Sequence, residues 1–166
     1  MPANRATEQT FPRRVLSASG ADVVLAPTPC SAASARRIVV AMVRDDRELA
    51  DRGQLLISEA VTNVIAHTDS DSVRVFLSVD DCSGSLLCGV FDTCTHVPHL
   101  SVASQDTLAP AGEAIKIAES GRGLTLINGL SDAWGFARAS DGKWLWFSLL
   151  PSHDQQSETA THHTHP

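Results

Sequence analysis

The chain has 166 residues, of which 43% are hydrophobic, and carries 13 Lys and Arg against 19 Asp and Glu. This length suits one domain with short tails, and the apolar content excludes a wholly disordered chain. The net charge of −6 argues against direct binding to nucleic acid through its phosphates. No apolar run reaches the roughly 20 residues of a membrane helix. Residues 1–12 lack the apolar segment of a secretion signal, so we expect a cytoplasmic protein with reduced cysteines.

The first third of the chain predicts a short strand and two helices. Residues 1–19 show little periodicity and are expected to form a flexible lead-in. An edge strand follows at residues 23–25. Ser31 is a candidate N-cap for a helix that runs to Arg44. A longer helix is predicted over residues 47–67, where apolar residues recur at i, i+3 and i+4.

Two antiparallel hairpins follow. Residues 73–79 alternate apolar and polar side chains, and a tight turn leads to a returning strand at residues 85–92. The second hairpin pairs residues 133–138 with residues 143–149 across an Asp-Gly turn. This order of elements predicts an α+β two-layer sandwich, with helices on one face of a mostly antiparallel sheet.

A long irregular segment separates the hairpins. Residues 93–120 show no sustained periodicity, and long loops of this kind are often functional lids. A glycine-flanked turn then leads into a predicted helix at residues 124–130. The domain is expected to span residues 20–150, and residues 151–166 are expected to form a disordered, histidine-rich tail.

Two parts of the chain that contain an acidic residue are candidates for chemistry: the Glu59–Asn63 turn of a helix and Asp92 at the end of a strand. Glu59 and Asn63 lie one turn apart on the second predicted helix, where an amide oxygen could ligate magnesium and a carboxylate could act as a base. The same spacing is common on solvated helix faces. Asp92 ends a strand, where it could accept a hydrogen bond from a ligand's amino group or could simply serve as a turn residue.

A glycine-flanked entry to a helix is the third candidate. Glycines allow close approach of the backbone to an anion, and the N–H groups at a helix N-terminus favour phosphate. A single Gly-x-Gly pattern is often only a turn. The candidate residues here are Gly121, Arg122, Gly123 and Leu124.

The cysteines and two nearby histidines indicate a metal site as an alternative function. Cys88 and Cys94 run into His96 and His99, and these residue types can bind zinc. The competing interpretation is that Cys88, inside a strand pattern, is a small buried apolar residue.

These elements together resemble a known family. Residues 59–63, Glu-Ala-Val-Thr-Asn, resemble the N box of the GHKL, or Bergerat-type, ATP-binding fold of histidine kinases and gyrase. Residues 90–92 followed by Pro98 resemble the next box, and residues 119–124 resemble the glycine box after the ATP lid. The last hairpin is similar to that of the anti-sigma-factor branch of serine-protein kinases. The resemblance covers residues 20–150.

The resemblance implies ATP and Mg²⁺ as cofactors. Asn63 would ligate magnesium, Glu59 would be the general base and Asp92 would pair with the adenine amino group. The glycine-box residues Gly121, Arg122, Gly123 and Leu124 would cover the phosphates. The chain departs from the family where Thr93-Cys94-Thr95 stands in place of an expected glycine. Side chains there would restrict the backbone and reshape the adenine pocket that the resemblance implies.

The resemblance also implies protein partners. The expected activity is phosphorylation of a serine or threonine on an antagonist protein, which would control the availability of a sigma factor. The alternative is a module that sequesters a partner without transferring phosphate. Homodimers are common in this branch, so a homodimer is compatible with the resemblance. A candidate partner surface lies on the first helix and is formed by Arg36, Arg37 and Arg44.

Overall fold

The computed structural model describes residues 7–8, 19–93 and 123–152. In chain order the elements are β1 (Thr7–Glu8), β2 (Ser19–Leu25), α1 (Cys30–Met42), α2 (Arg47–His67), β3 (Val73–Val79), β4 (Leu86–Asp92), α3 (residues 123–130), β5 (Ala133–Ala139) and β6 (Gly142–Leu149). None of the helices in these three ranges is long and apolar enough to cross a membrane.

The described strands form a single sheet in the order β1-β5-β6-β4-β3-β2. All neighbours pair antiparallel except β1, which lies parallel to β5. The predicted α+β sandwich and both hairpins are therefore confirmed. Strand β1 was not predicted, because two residues are too few to show a period. Strand β2 begins at Ser19, earlier than the predicted edge strand, and is confirmed at the edge of the described sheet.

The main core lies between one face of the sheet and the helices. Strands β3 and β4 contribute alternate residues to it, and α1, α2 and α3 cover them. Since the helices share this one face, the end of α2 and the start of α3 are held over the same side of the sheet. The largest fully buried side chains include Phe147, Leu49, Leu56, Ile57, Leu77, Leu86 and Ile127.

The opposite face of the sheet carries a smaller apolar cluster. Leu87, Ala137 and Trp146 are buried there, and Phe76, Ala133 and Trp144 pack against them. Trp144 also contacts Phe91, with ring centroids 5.2 Å apart, and the Arg74 guanidinium lies 5.6 Å from the Trp144 ring. Both faces of β6 are therefore apolar along most of its length.

The helix starts differ in how they are capped. Asp46 caps α2, because its side chain accepts a hydrogen bond from the Leu49 N–H at 2.8 Å. The prediction that Ser31 caps α1 is wrong. Pro29 occupies the cap position without a side-chain hydrogen bond, and Ser31 lies buried in the first turn, where its hydroxyl donates to the Ala26 carbonyl. Helix α1 also ends at Met42 rather than at Arg44.

A polar cluster ties α2 to the end of α3. Arg52 Nη2 donates to the Leu130 carbonyl at 3.1 Å and to Asp132 Oδ2 at 2.9 Å. The backbone N–H of Leu150 donates to the same carboxylate oxygen at 2.7 Å. Since α2 and α3 carry candidate site residues, this cluster helps to fix their relative position.

Candidate functional site

Helix α2 brings Glu59 and Asn63 together. They occupy successive turns, and both are half-buried, at the boundary between the core stripe and the surface. Ala60 and Val64, the next residue in each case, are buried in the core and hold this part of the helix against the sheet. Within the part of the chain that the structure describes, no hydrogen bond engages either the Glu59 or the Asn63 side chain.

Gly123 lies directly against Asn63. A Cβ added at Gly123 would stand 2.6 Å from Asn63 Nδ2 and 3.4 Å from Asn63 Oδ1. Real Cβ atoms do not approach polar side-chain atoms so closely, so any larger residue at position 123 would displace the Asn63 amide. The start of α3 and the Asn63 turn of α2 thus converge.

The glycine-box candidates are only partly described. Gly121 and Arg122 lie outside the described residues. Leu124 is 8% exposed and belongs to the main core. Its side chain therefore anchors α3 to the sheet, and a role in phosphate binding would rest on its backbone N–H.

Asp92 pairs with a lysine that the sequence analysis did not single out. Lys143 lies opposite Asp92 in the β4–β6 register, and its Nζ donates to Asp92 Oδ2 at 2.6 Å. The two side chains are only 6% and 13% exposed. Alternation along the strands places Asp92 on the side of Val90, and Lys143 on the side of Leu145, which is the helix side. No local pattern indicates Lys143, because β6 is apolar on both faces and the pairing with Asp92 depends on the β4–β6 register.

The backbone at Asp92 is held by a close strand contact. A Cβ at Gly142 would overlap the Asp92 carbonyl oxygen and would stand 2.7 Å from Phe91 Cζ. Next to Asp92, the exposed Thr93 hydroxyl is hydrogen-bonded to the Ser70 hydroxyl at 2.5 Å. The departure from the family pattern therefore begins with a residue that links the end of β4 to the α2–β3 connection; Cys94 and Thr95 lie outside the described residues.

The donor set fits a magnesium nucleotide. Carboxylate and amide oxygens from Glu59 and Asn63 are ligand types that Mg²⁺ accepts. The lack of a side chain at Gly123 lets the start of α3 lie directly against Asn63. Asp92 offers a carboxylate acceptor at the carboxyl end of β4, on the same side of the sheet.

The cysteine and histidine candidates do not form a described cluster. Cys88 is fully buried in the core, and burial raises the pKa of its thiol far above the usual range. Its interpretation as a small apolar core residue is confirmed. Cys94, His96 and His99 lie outside the described residues. Within residues 7–8, 19–93 and 123–152, no three His, Cys, Asp or Glu side chains group as a metal site.

The three arginines predicted to form a partner surface differ in exposure and in hydrogen bonding. Arg36 Nη1 donates to the Ser58 hydroxyl at 3.0 Å, so this guanidinium is turned towards α2. Arg37 is exposed on α1, whereas Arg44 lies beyond the helix end and donates from Nε to the Ala41 carbonyl. Arg37 and Arg44 are thus the exposed members of the predicted surface, and Arg36 is half-buried beside α2.

Comparisons with known proteins show the family and the fold of the chain. The family model described as "Histidine kinase-like ATPase domain" matches residues 25–149. No curated protein matches the chain significantly. Among solved structures, the chain is similar to the RsbU and RsbW domains of Rv1364c from Mycobacterium tuberculosis, with a TM-score of 0.57 and 15% identity. That match covers 82% of this chain and 33% of the other, and at this identity it concerns the fold alone.

Proposed function

The chain belongs to the histidine kinase-like ATPase family, and we propose that it binds ATP with Mg²⁺ and phosphorylates a serine or threonine of a regulatory protein. The contact between Asn63 and Gly123 carries the nucleotide part of this proposal, because it joins the two sequence boxes that would hold the metal and the phosphates. The acceptor at Asp92 supports the choice of a base with an amino group.

Each residue has a proposed role. Asn63 would hold Mg²⁺ through its amide oxygen, with the half-buried Glu59 one turn away. When bound, the ion would neutralise negative charge on the phosphates. The N–H groups at the start of α3 would favour the same anion.

Glu59 is the proposed base. Its carboxylate would accept the proton of the partner's hydroxyl, whose oxygen forms a bond to the γ-phosphorus. The bond between that phosphorus and the β,γ-bridging oxygen breaks, and ADP leaves. Such transfers depend mainly on positioning and charge neutralisation, so a small set of side chains suffices.

The proposed setting is regulation of a sigma factor. This part of the proposal rests on the sequence resemblance to anti-sigma serine-protein kinases, and its partners would be a sigma factor and a phosphorylated antagonist protein, in the cytoplasm. The fold similarity to the RsbU and RsbW domain structure is compatible with it.

A non-catalytic binding module is the second candidate. The family pattern has a glycine shortly after the adenine-binding Asp, whereas this chain has Thr93-Cys94-Thr95 there. The Thr93 hydroxyl is hydrogen-bonded to the Ser70 hydroxyl. A module of this kind would bind ATP, or no nucleotide, and sequester its partner without phosphorylating it.

The Glu59→Ala variant separates the two candidates. Radiolabelled γ-phosphate transfer from ATP to proteins of the source cell is measured for the wild type, for Glu59→Ala and for Thr62→Ala, a control at an exposed position of the same helix. The kinase proposal expects a serine- or threonine-labelled protein with the wild type and the control, and loss of label with Glu59→Ala while ATP binding persists. Absence of transfer by a wild type that binds ATP would favour the binding module.

A further inference from the structure

The buried ion pair of Asp92 and Lys143 is not explained by phosphoryl transfer. Lys143 is 5% exposed, and it follows Gly142, which packs on the Asp92 carbonyl. The next helix-side residues of β6, Leu145 and Phe147, are apolar core residues. The charge pair therefore occupies the end of an otherwise apolar strand face, at the point where β4 stops.

Sheet stability alone gives little reason for this pair. Removing two charges from water carries a large desolvation penalty, and buried ion pairs can often be replaced by apolar residues of similar volume without loss of stability. The strands are already joined by the β4–β6 ladder and by the apolar residues on both faces of β6. Contact with a ligand explains the buried Lys143 ammonium better than a role in sheet stability does.

We propose that Lys143 is a specificity-determining residue for the nucleobase, donating a hydrogen bond to adenine N1 while Asp92 accepts from the 6-amino group. This inference rests on the proposed nucleotide site. The carboxylate and the ammonium stand side by side, so a base that lies against the pair would meet an acceptor and a donor at adjacent positions of one edge. Adenine carries the complementary donor and acceptor on adjacent positions of that edge.

Guanine presents the opposite pattern on the same edge. Its 6-oxo group is an acceptor and its N1–H is a donor, so a base in the same pose would face the carboxylate with an oxygen and the ammonium with a hydrogen. A carboxylate alone would reject guanine at one position, whereas the Asp92–Lys143 pair rejects it at two. Lys143 therefore adds selectivity for ATP over GTP.

The test uses an ATP analogue that changes one atom of the base. Isothermal titration calorimetry in the same Mg²⁺ buffer compares ATP with 1-deaza-ATP, in which a C–H replaces N1. We expect the wild type to bind 1-deaza-ATP about tenfold to one-hundredfold more weakly, the range for a hydrogen bond from a charged donor. In Lys143→Met this difference should disappear, and the preference for ATP over GTP should narrow. The control, Arg138→Met, removes an exposed cation opposite Lys143 on β5 and should retain both differences.

The outcomes distinguish this inference from the proposed function. Equal affinity of the wild type for ATP and 1-deaza-ATP would overturn the role of Lys143 while leaving the nucleotide site intact. Failure of the wild type to bind ATP would overturn both. Since the analogue comparison is made on the unaltered protein, a folding defect in Lys143→Met would not affect that result.

Discussion

Asn63 on α2 and Gly123 on α3 are in such close contact that no side chain fits between them; a Cβ at Gly123 would stand 2.6 Å from Asn63 Nδ2. These residues are sixty positions apart in the sequence. Their contact places an amide beside the first described turn of α3. The contact brings the two separate sequence boxes together in one candidate site.

Gly123→Ala should therefore weaken nucleotide binding more than it affects folding. The new methyl group would push the Asn63 amide out of position, and we expect roughly a tenfold loss of ATP affinity in Mg²⁺, equivalent to about 1.4 kcal/mol. Titration calorimetry and urea unfolding measure the two effects. Gly129→Ala is the matched control in the same helix, because its Cβ would meet no atom within 4 Å. An unchanged affinity in Gly123→Ala would refute the role of this contact.

Gly142→Ala should chiefly destabilise the fold. The Cβ would overlap the Asp92 carbonyl oxygen and press on Phe91 Cζ, so β6 would have to move away from β4. Because the obstacle includes backbone, we expect a loss of at least about 2 kcal/mol in the free energy of unfolding. Urea denaturation measures it. Gly129→Ala should instead be neutral or stabilising by up to about 1 kcal/mol, since alanine favours a helix; equal stability of both variants would contradict the account.

The Asp22–Arg74 pair should make a small, pH-dependent contribution to stability. Hydrogen bonding to Arg74 lowers the pKa of Asp22 below the ordinary value of 3.8. A lowered folded-state pKa means that the stabilisation is fully present above the unfolded pKa and is lost as pH falls through the folded pKa. With side chains 45% and 51% exposed, the pair is screened by solvent and salt.

The corresponding experiment is urea unfolding of Asp22→Asn at several pH values. Relative to the wild type, we expect the free energy of unfolding of Asp22→Asn to be lower by at most about 1 kcal/mol at neutral pH. The difference should be smaller in high salt and should vanish well below pH 3.8. Asp71→Asn, at an exposed position in the α2–β3 connection, controls for the loss of one negative charge. If the free energy of unfolding of Asp22→Asn stays equally far below that of the wild type in acid, the effect is not due to the ion pair.

Cys88 should be inert to thiol reagents in the folded protein. It is fully buried and its thiol pKa is raised by desolvation, whereas Cys30 and Cys82 are exposed. Iodoacetamide labelling followed by peptide mass spectrometry should modify Cys30 and Cys82 first, and Cys88 only after denaturation. Labelling of Cys88 in native protein at the rate of Cys82 would contradict its assignment to the core.

Regular periodicity made most of the fold predictable. Helix α2 begins and ends at Arg47 and His67, as predicted, because its apolar stripe runs through the whole segment. Strand β3 was equally clear from its alternation. The start of α1 could not be predicted in this way. Ser31 is a residue type that often caps helices, but Pro29 occupies the cap position and the Ser31 hydroxyl donates to the Ala26 carbonyl instead.

The site was predictable only as separate pieces. The sequence boxes indicated Glu59, Asn63 and Asp92, but spacing along a chain does not show that Gly123 touches Asn63. Lys143 was missed because it stands among tryptophans in a strand that is apolar on both faces, so its burial beside Asp92 depends on the β4–β6 register. Such pairings are set by tertiary structure, which local patterns do not encode.

Calorimetric titration of ATP with and without Mg²⁺, on the wild type and on Asn63→Ala, tests the central claim most directly. Thr62→Ala, at an exposed neighbouring position, serves as the control. The account predicts Mg²⁺-dependent ATP binding by the wild type and the control, and loss of that dependence in Asn63→Ala. No binding of ATP by the wild type at millimolar nucleotide would contradict it, and the chain would then keep this fold without its nucleotide.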